Sequence, residues 1–153
     1  SDEYAYYPAE WVSPYIDRRR KVGWDLYTLL DIAKSDKERM HQQHRRNFHF
    51  FGAPVGLFFY LDRSLGPPQW SDVGMYMQTV MLLAREHGLH TCAQEIWSLV
   101  QGTVGRFLEV PPNLMLFSGM ALGHADPSHP INTLRTERAA LEEFASLRGF
   151  DAT

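Results

Sequence analysis

Apolar residues between Trp70 and Trp97 recur at helical spacing, not strand spacing. Val73, Met77, Val80, Met81 and Ala84 keep that spacing, and Met75, Leu82 and Leu83 make much of the remaining circumference apolar. Ser71 or Asp72 offers a side-chain oxygen to the first-turn amides, and Gly88 supplies the left-handed residue that ends a helix. A helix apolar nearly all round belongs inside a domain or between two subunits. The following LHTCAQEIW predicts a turn and a new helix from Ala93 to about Gln101, then a helical turn or two from Val104 to Leu108. A buried helix ending in a compact turn is a place to hold a flat ligand.

Two other stretches are continuously apolar. VGLFFYL, Val55 to Leu61, is short, rich in β-formers and flanked by Pro54 and Asp62. LMLFSGMAL, Leu114 to Leu122, follows Pro111 and Pro112. Both read as buried strands. Tyr15 to Ala33 reads as a helix with Ile16, Val22, Leu26, Leu29, Leu30 and Ala33 on its apolar face. Ser35 with Glu38 forms a capping-box start for a polar helix to about Arg46. Residues 1–14 read as an ordered aromatic arm. Ile131 to Ala139 reads as extended or irregular, and Leu141 to Leu147 as a short amphipathic helix. Together these elements predict an α+β or α/β layered domain. Two strands make a thin sheet, so further strands or a second subunit are expected to complete it.

Composition narrows the class. A chain of 153 residues that is 44% hydrophobic is large enough for one domain with a substantial core. A net charge of -3 argues against general nucleic-acid affinity. No apolar run approaches the roughly 20 residues of a membrane span. The single cysteine, Cys92, excludes an intrachain disulfide framework and fits a reducing, cytoplasmic setting. The first residues lack the pattern of a signal peptide. They also lack an initiator Met, which fits processing, a tag scar or a chain that begins partway through a larger protein.

Several residues invite chemistry and admit plainer readings. His87, His90 and Cys92 lie close in sequence, but a zinc site wants a second close pair, and His124 and His129 are loosely spaced. Cys92 reads as a small core residue before a nucleophile. Arg18, Arg19, Arg20 and Lys21 splay round a helix with Asp17 and Asp25 nearby, as on a solvated face or a dimer rim. Trp24 and Tyr27 read as core or interface aromatics, and the methionines of the central helix as core filler. Arg135 and Arg138, taken alone, read equally as ordinary surface arginines beside Glu137 and Glu142.

Three motifs in order change the picture: NFHFFGAPVGLFFYLDR, then WSDVGMYMQTVMLLAREHGLHTCAQEIW, then LMLFSGMALGHADPSHPINTLRTERAALEEF. They make residues 45 to 150 resemble the C-terminal two-thirds of the flavin-dependent nitroreductase family, and YYPAEW…RRRKVGWDLY resembles one subgroup. The resemblance implies an α+β, nitroreductase-like layered fold whose central sheet, flanked by helices, is completed by a dimer partner. It implies FMN at the subunit interface. It also implies NAD(P)H as hydride donor and a ping-pong reduction of nitroaromatics, quinones or related small flat acceptors.

Site residues follow from the same resemblance. Ala93, Gln94, Glu95 and Ile96 match the turn whose backbone faces the flavin ring. Arg138 matches the family's phosphate-binding position, with Arg135 its neighbour; a guanidinium fork suits a phosphate. No side chain is assigned as acid or base, and no metal is expected. The chain departs from the family in two ways. Ala93 stands where many relatives have proline. The family's N-terminal Arg-x-Ser contact and its Ser/Asn-x-Gln-Pro-Trp-like segment have no counterpart, so residues 1–153 are expected to form a nitroreductase-like domain lacking that segment. The alternative is a truncated, non-catalytic dimer module with weak or no FMN binding. A change of reaction to flavin cleavage or halogen removal ranks third.

Overall fold

A computed structural model of the chain describes residues 3–149. Three strands form one antiparallel sheet in the order β1-β3-β2: β1 is Val55–Asp62, β2 is His90–Gln94 and β3 is Leu114–Gly123. Four α-helices accompany it: α1 Tyr15–Leu29, α2 Lys37–Arg45, α3 Pro67–Glu86 and α4 Gln101–Phe107. Short 3-10 segments lie at Arg46–Gly52, Glu95–Val100, Pro130–Thr133 and Leu141–Glu143. The mixed, layered α+β architecture is the one expected.

The two apolar runs are the strands they resemble. β3 is central, and Leu116, Ser118, Met120 and Ala121 on it are buried. β2 corrects the expectation of a helix from Ala93. Its five residues pair with β3 from His90 opposite Gly123 to Gln94 opposite Gly119. They are too few to display a period of two, and the ladder to β3 decides their conformation.

α3 begins earlier than expected. Gly66 is its N-cap and Pro67 opens the first turn, where a missing N–H costs nothing. Ser71 therefore lies inside the helix, its hydroxyl donating to the Pro68 carbonyl. The end is as expected: Gly88 sits at φ 72°, Leu89 N–H donates to Ala84 O and Gly88 N–H to Arg85 O, a Schellman close. Only Met77 and Ala84 of α3 are buried. Met75, Tyr76 and Leu82 are each 62% exposed and Leu83 52%. One apolar stripe of the helix is thus uncovered within the single chain.

Three smaller boundaries also differ. α1 stops at Leu29, because Asp31 takes φ 52°. α2 is capped by Asp36, whose Oδ1 accepts from Arg39 N–H at 3.0 Å, and not by Ser35. The expected C-terminal helix is a single 3-10 turn, with Phe144 and Leu147 exposed beyond it.

An aromatic cluster fills the space over β1 and β3. Phe50 stacks on Trp97 at 4.8 Å, and Phe58 and Phe48 meet the same indole edge-on at 5.0 and 5.3 Å. Two glycines make this approach possible. A Cβ on Gly119 would lie 2.3 Å from Trp97 Cδ1, and one on Gly56 2.2 Å from the Phe50 ring. The arm, seen from Glu3, is ordered as expected. Tyr4 packs against Trp70 and Phe117, Glu3 forms a forked pair with Arg63, and Arg19 lies over Tyr7 and Trp11.

Candidate functional site

Ala93–Ile96 is the place where β2 leaves the sheet and tightens into the segment Glu95–Val100. β2 is an edge strand, so alternate backbone groups point away from β3. Ala93 and Glu95 are exposed, whereas Gln94 and Ile96 are buried. The window therefore offers backbone, a methyl group and a carboxylate outward, and is anchored by its other two side chains.

The anchors are specific. Gln94 Nε2 donates to the Asn47 carbonyl at 2.8 Å and to Asn47 Oδ1 at 3.2 Å. Asn47 Nδ2 donates to His44 O at the end of α2. Ser98 Oγ–H donates to Glu95 O at 2.8 Å, and Ser98 is only 1% exposed. Trp97 and Ile96 belong to the core cluster with Leu116 and Val104. Gln94 Oε1 and Trp97 Nε1 are buried without a partner. Asn47, Trp97 and Ser98 were not anticipated as site residues. The Asn47–Gln94 contact spans 47 positions and leaves no periodic trace; only the Trp97 indole, large and apolar beside the window, hinted at an anchor.

The arm reaches the same place. The Tyr4 hydroxyl donates to Phe117 O at 2.5 Å. Burial raises the Tyr4 hydroxyl above the ordinary tyrosine range; the Ser98 hydroxyl opposes this and the Glu95 carboxylate adds to it. Tyr6 is raised too, by burial first, then by Tyr7, with Glu95 adding.

Arg135 and Arg138 lie on the exposed loop after Pro130–Thr133. Arg135 lines a cleft of about 350 Å³ against Asp25, Thr28 and Leu29 of α1. Its guanidinium donates to the carbonyls of Asn132 and Leu134. Arg138 donates to the Thr136 hydroxyl and to the Thr136 and Glu137 carbonyls. Among the described residues neither arginine is in an ion pair, and none of these bonds reaches residues 93–96. Within one chain the two halves of the predicted site are thus built separately.

The other candidates resolve simply. Arg18 pairs with Glu143 and Lys21 with Asp25 and Glu137, all exposed, as on a solvated face. His90 Nδ1 accepts from Ala125 N–H, and Cys92 is exposed on β2 rather than buried in the core. Among the described residues, no three His, Cys, Asp or Glu side chains gather as metal ligands do. No described helix is long and apolar enough to cross a membrane.

Residues 18–124 match the model of the nitroreductase family. The chain is 37% identical to the 4-nitrobenzoate reductase of Pseudomonas putida, over 99% of this chain and 66% of that protein. It is 36% identical to the chloronitrobenzene nitroreductase of Comamonas testosteroni, over 94% and 63%. Among solved structures, the FMN and NADPH-dependent nitroreductase NfnB from Sphigopyxis sp. strain HMH superposes with a TM-score of 0.95 at 44% identity, over 98% of this chain and 67% of that one. The FMN-dependent NfnB of Mycobacterium smegmatis, in complex with NADPH, gives 0.91 at 28% identity, over 97% and 66%. The chain thus spans about two thirds of the length of these relatives. A family match over most of the chain, with the same fold throughout, means that the chain belongs to the nitroreductase family.

Proposed function

We propose that the protein is an FMN-dependent oxidoreductase that uses NAD(P)H to reduce nitroaromatics, quinones or related small flat acceptors, and that it works as a homodimer. The observation that carries this reading is the 44% identity to an FMN and NADPH-dependent nitroreductase over 98% of the chain. The residues fit the cofactor. Arg135 and Arg138 hold guanidinium charge that no described carboxylate neutralises, which suits a phosphate dianion. Ala93–Ile96 offers an open backbone edge with only a methyl group at Ala93, which suits the rim of a flat ring. Bound FMN supplies the hydride chemistry; the chain supplies binding, orientation and electrostatics. NAD(P)H and the acceptor use the exposed face in turn, in a ping-pong cycle.

The dimer is supported by α3. Met75, Tyr76, Leu82 and Leu83 follow i, i+1, i+7, i+8 spacing on one helix face and are exposed in the single chain. A contiguous apolar stripe of this kind marks a protein contact. A reducing compartment suits the exposed thiol of Cys92.

The test is an absorbance spectrum after loading with FMN and removing the excess, followed by NADPH oxidation with 4-nitrobenzoate or a quinone. Near-stoichiometric flavin bands and acceptor-dependent NADPH consumption are expected, from a species of dimer mass. A colourless protein without turnover overturns the reading.

A further inference from the structure

The direction of the peptide groups at residues 93–96 is set by side chains that lie behind the exposed edge. A peptide unit is planar, so the bond from Ser98 Oγ–H to the Glu95 carbonyl also aims the Ile96 N–H on the opposite side of the same plane. One residue earlier, the Gln94 carboxamide ties the end of β2 to Asn47, and Asn47 is held in turn by His44 O. Gln94 stands opposite Gly119 in the ladder, and opposed residues of an antiparallel pair project to one face. Trp97 occupies the space a Gly119 side chain would take. Indole and carboxamide therefore pack side by side over that glycine.

This arrangement has a cost. Gln94 is 3% exposed, yet its Oε1 accepts nothing. A leucine would fill the volume without an orphaned acceptor, but it would take the Nε2 donor away from Asn47. The gain from glutamine lies in its two directed bonds, not in packing.

We propose that Asn47, Gln94 and Ser98 are positioning residues that fix the direction of the Glu95–Ile96 peptide and, through it, the polarity met by the edge of the flavin. The inference rests on the FMN reading above and deepens it.

Two readouts test it on the full chain. Hydrogen exchange over residues 93–98 is measured without added flavin. The dissociation constant and midpoint potential of added FMN are measured beside the melting temperature. Gln94→Leu and Ser98→Ala are expected to speed exchange in the window about tenfold and to weaken FMN about tenfold, with a displaced potential. Gln94→Leu does so with a melting temperature close to that of the parent, because relief of the orphaned Oε1 offsets bonds lost to the half-exposed Asn47. Asn47→Ala moves in the same direction but less, because its main-chain carbonyl still accepts from Gln94 Nε2. Unchanged exchange in Gln94→Leu and Ser98→Ala overturns the proposal whether or not flavin binds. Faster exchange with unmoved FMN affinity and potential also overturns it, leaving these residues a purely structural part. If the parent chain retains no FMN, the functional reading fails separately, and exchange alone decides whether these side chains order the peptide.

Discussion

Residues 93–96 and the pair Arg135 and Arg138 are two parts of one predicted site, and they are constructed in opposite ways. The first segment is clamped from behind by Asn47, Ser98 and the stacked Phe50–Trp97 pair, with alternate side chains buried. The second is an exposed loop whose arginines, among the described residues, bond only to their own neighbourhood. The contrast suits what each is proposed to recognise. A rigid ring senses the direction of a peptide dipole, so the edge facing it needs a fixed orientation. A phosphate rotates freely and is recognised by charge, so a guanidinium fork meets it without prior locking.

The largest expected effect tests the clamped half. Gly119→Ala puts a methyl group where Trp97 Cδ1 stands at 2.3 Å, against a strand that cannot yield. Overpacking of this kind costs about 1–3 kcal/mol. Chemical denaturation should show that loss, whereas Arg135→Ala should stay within about 0.5 kcal/mol of the parent. Equal losses at the two positions would erase the distinction.

The unclamped half should fail in binding and not in folding. The double variant Arg135→Ala, Arg138→Ala is expected to lose about 2 kcal/mol of FMN affinity, roughly thirtyfold, from charge-assisted bonds. The parent's affinity should fall with added salt and the variant's much less. Titration of FMN at two ionic strengths reads both. A salt-independent parent would mean that these arginines face solvent only.

The same contrast explains what could be read from the chain. Long apolar patterns survive in the fold: β1 and β3 appear where their residues predicted, and α3 starts a turn early but is closed by Gly88 in the expected geometry. β2 did not show itself, because His90–Gln94 is too short for alternation and its conformation comes from pairing with β3. Asn47 and Ser98 were equally silent, since their significance lies in contacts made across the fold. Local chemistry offered near-equivalent choices at the start of α2, where Ser35 and Asp36 both carry cap-competent oxygens and only the backbone decides. Asp36→Ala should cost about 1 kcal/mol and Ser35→Ala a few tenths at most, by thermal denaturation.

Exposure alone is not the variable that separates the two halves, and Asp62 shows it. Asp62 lies half-exposed at the end of β1, yet it is fully engaged. Its Oδ1 accepts from the Ser64 hydroxyl and N–H, and its Oδ2 accepts from Asn113 Nδ2 near the start of β3. These bonds, led by the Ser64 hydroxyl, lower its carboxyl from 3.8 to about 2. A carboxyl depressed in the folded state stabilises the fold fully above its unfolded value and loses that contribution as pH falls through the folded one. The melting temperature should therefore drop as pH falls from about 3.8 to about 2 through this group, and Asp62→Asn should flatten that part of the profile. Water screens the group, so the effect is the smallest of the set. A profile unchanged by Asp62→Asn would mean that engagement of this half-exposed carboxylate contributes nothing to the fold.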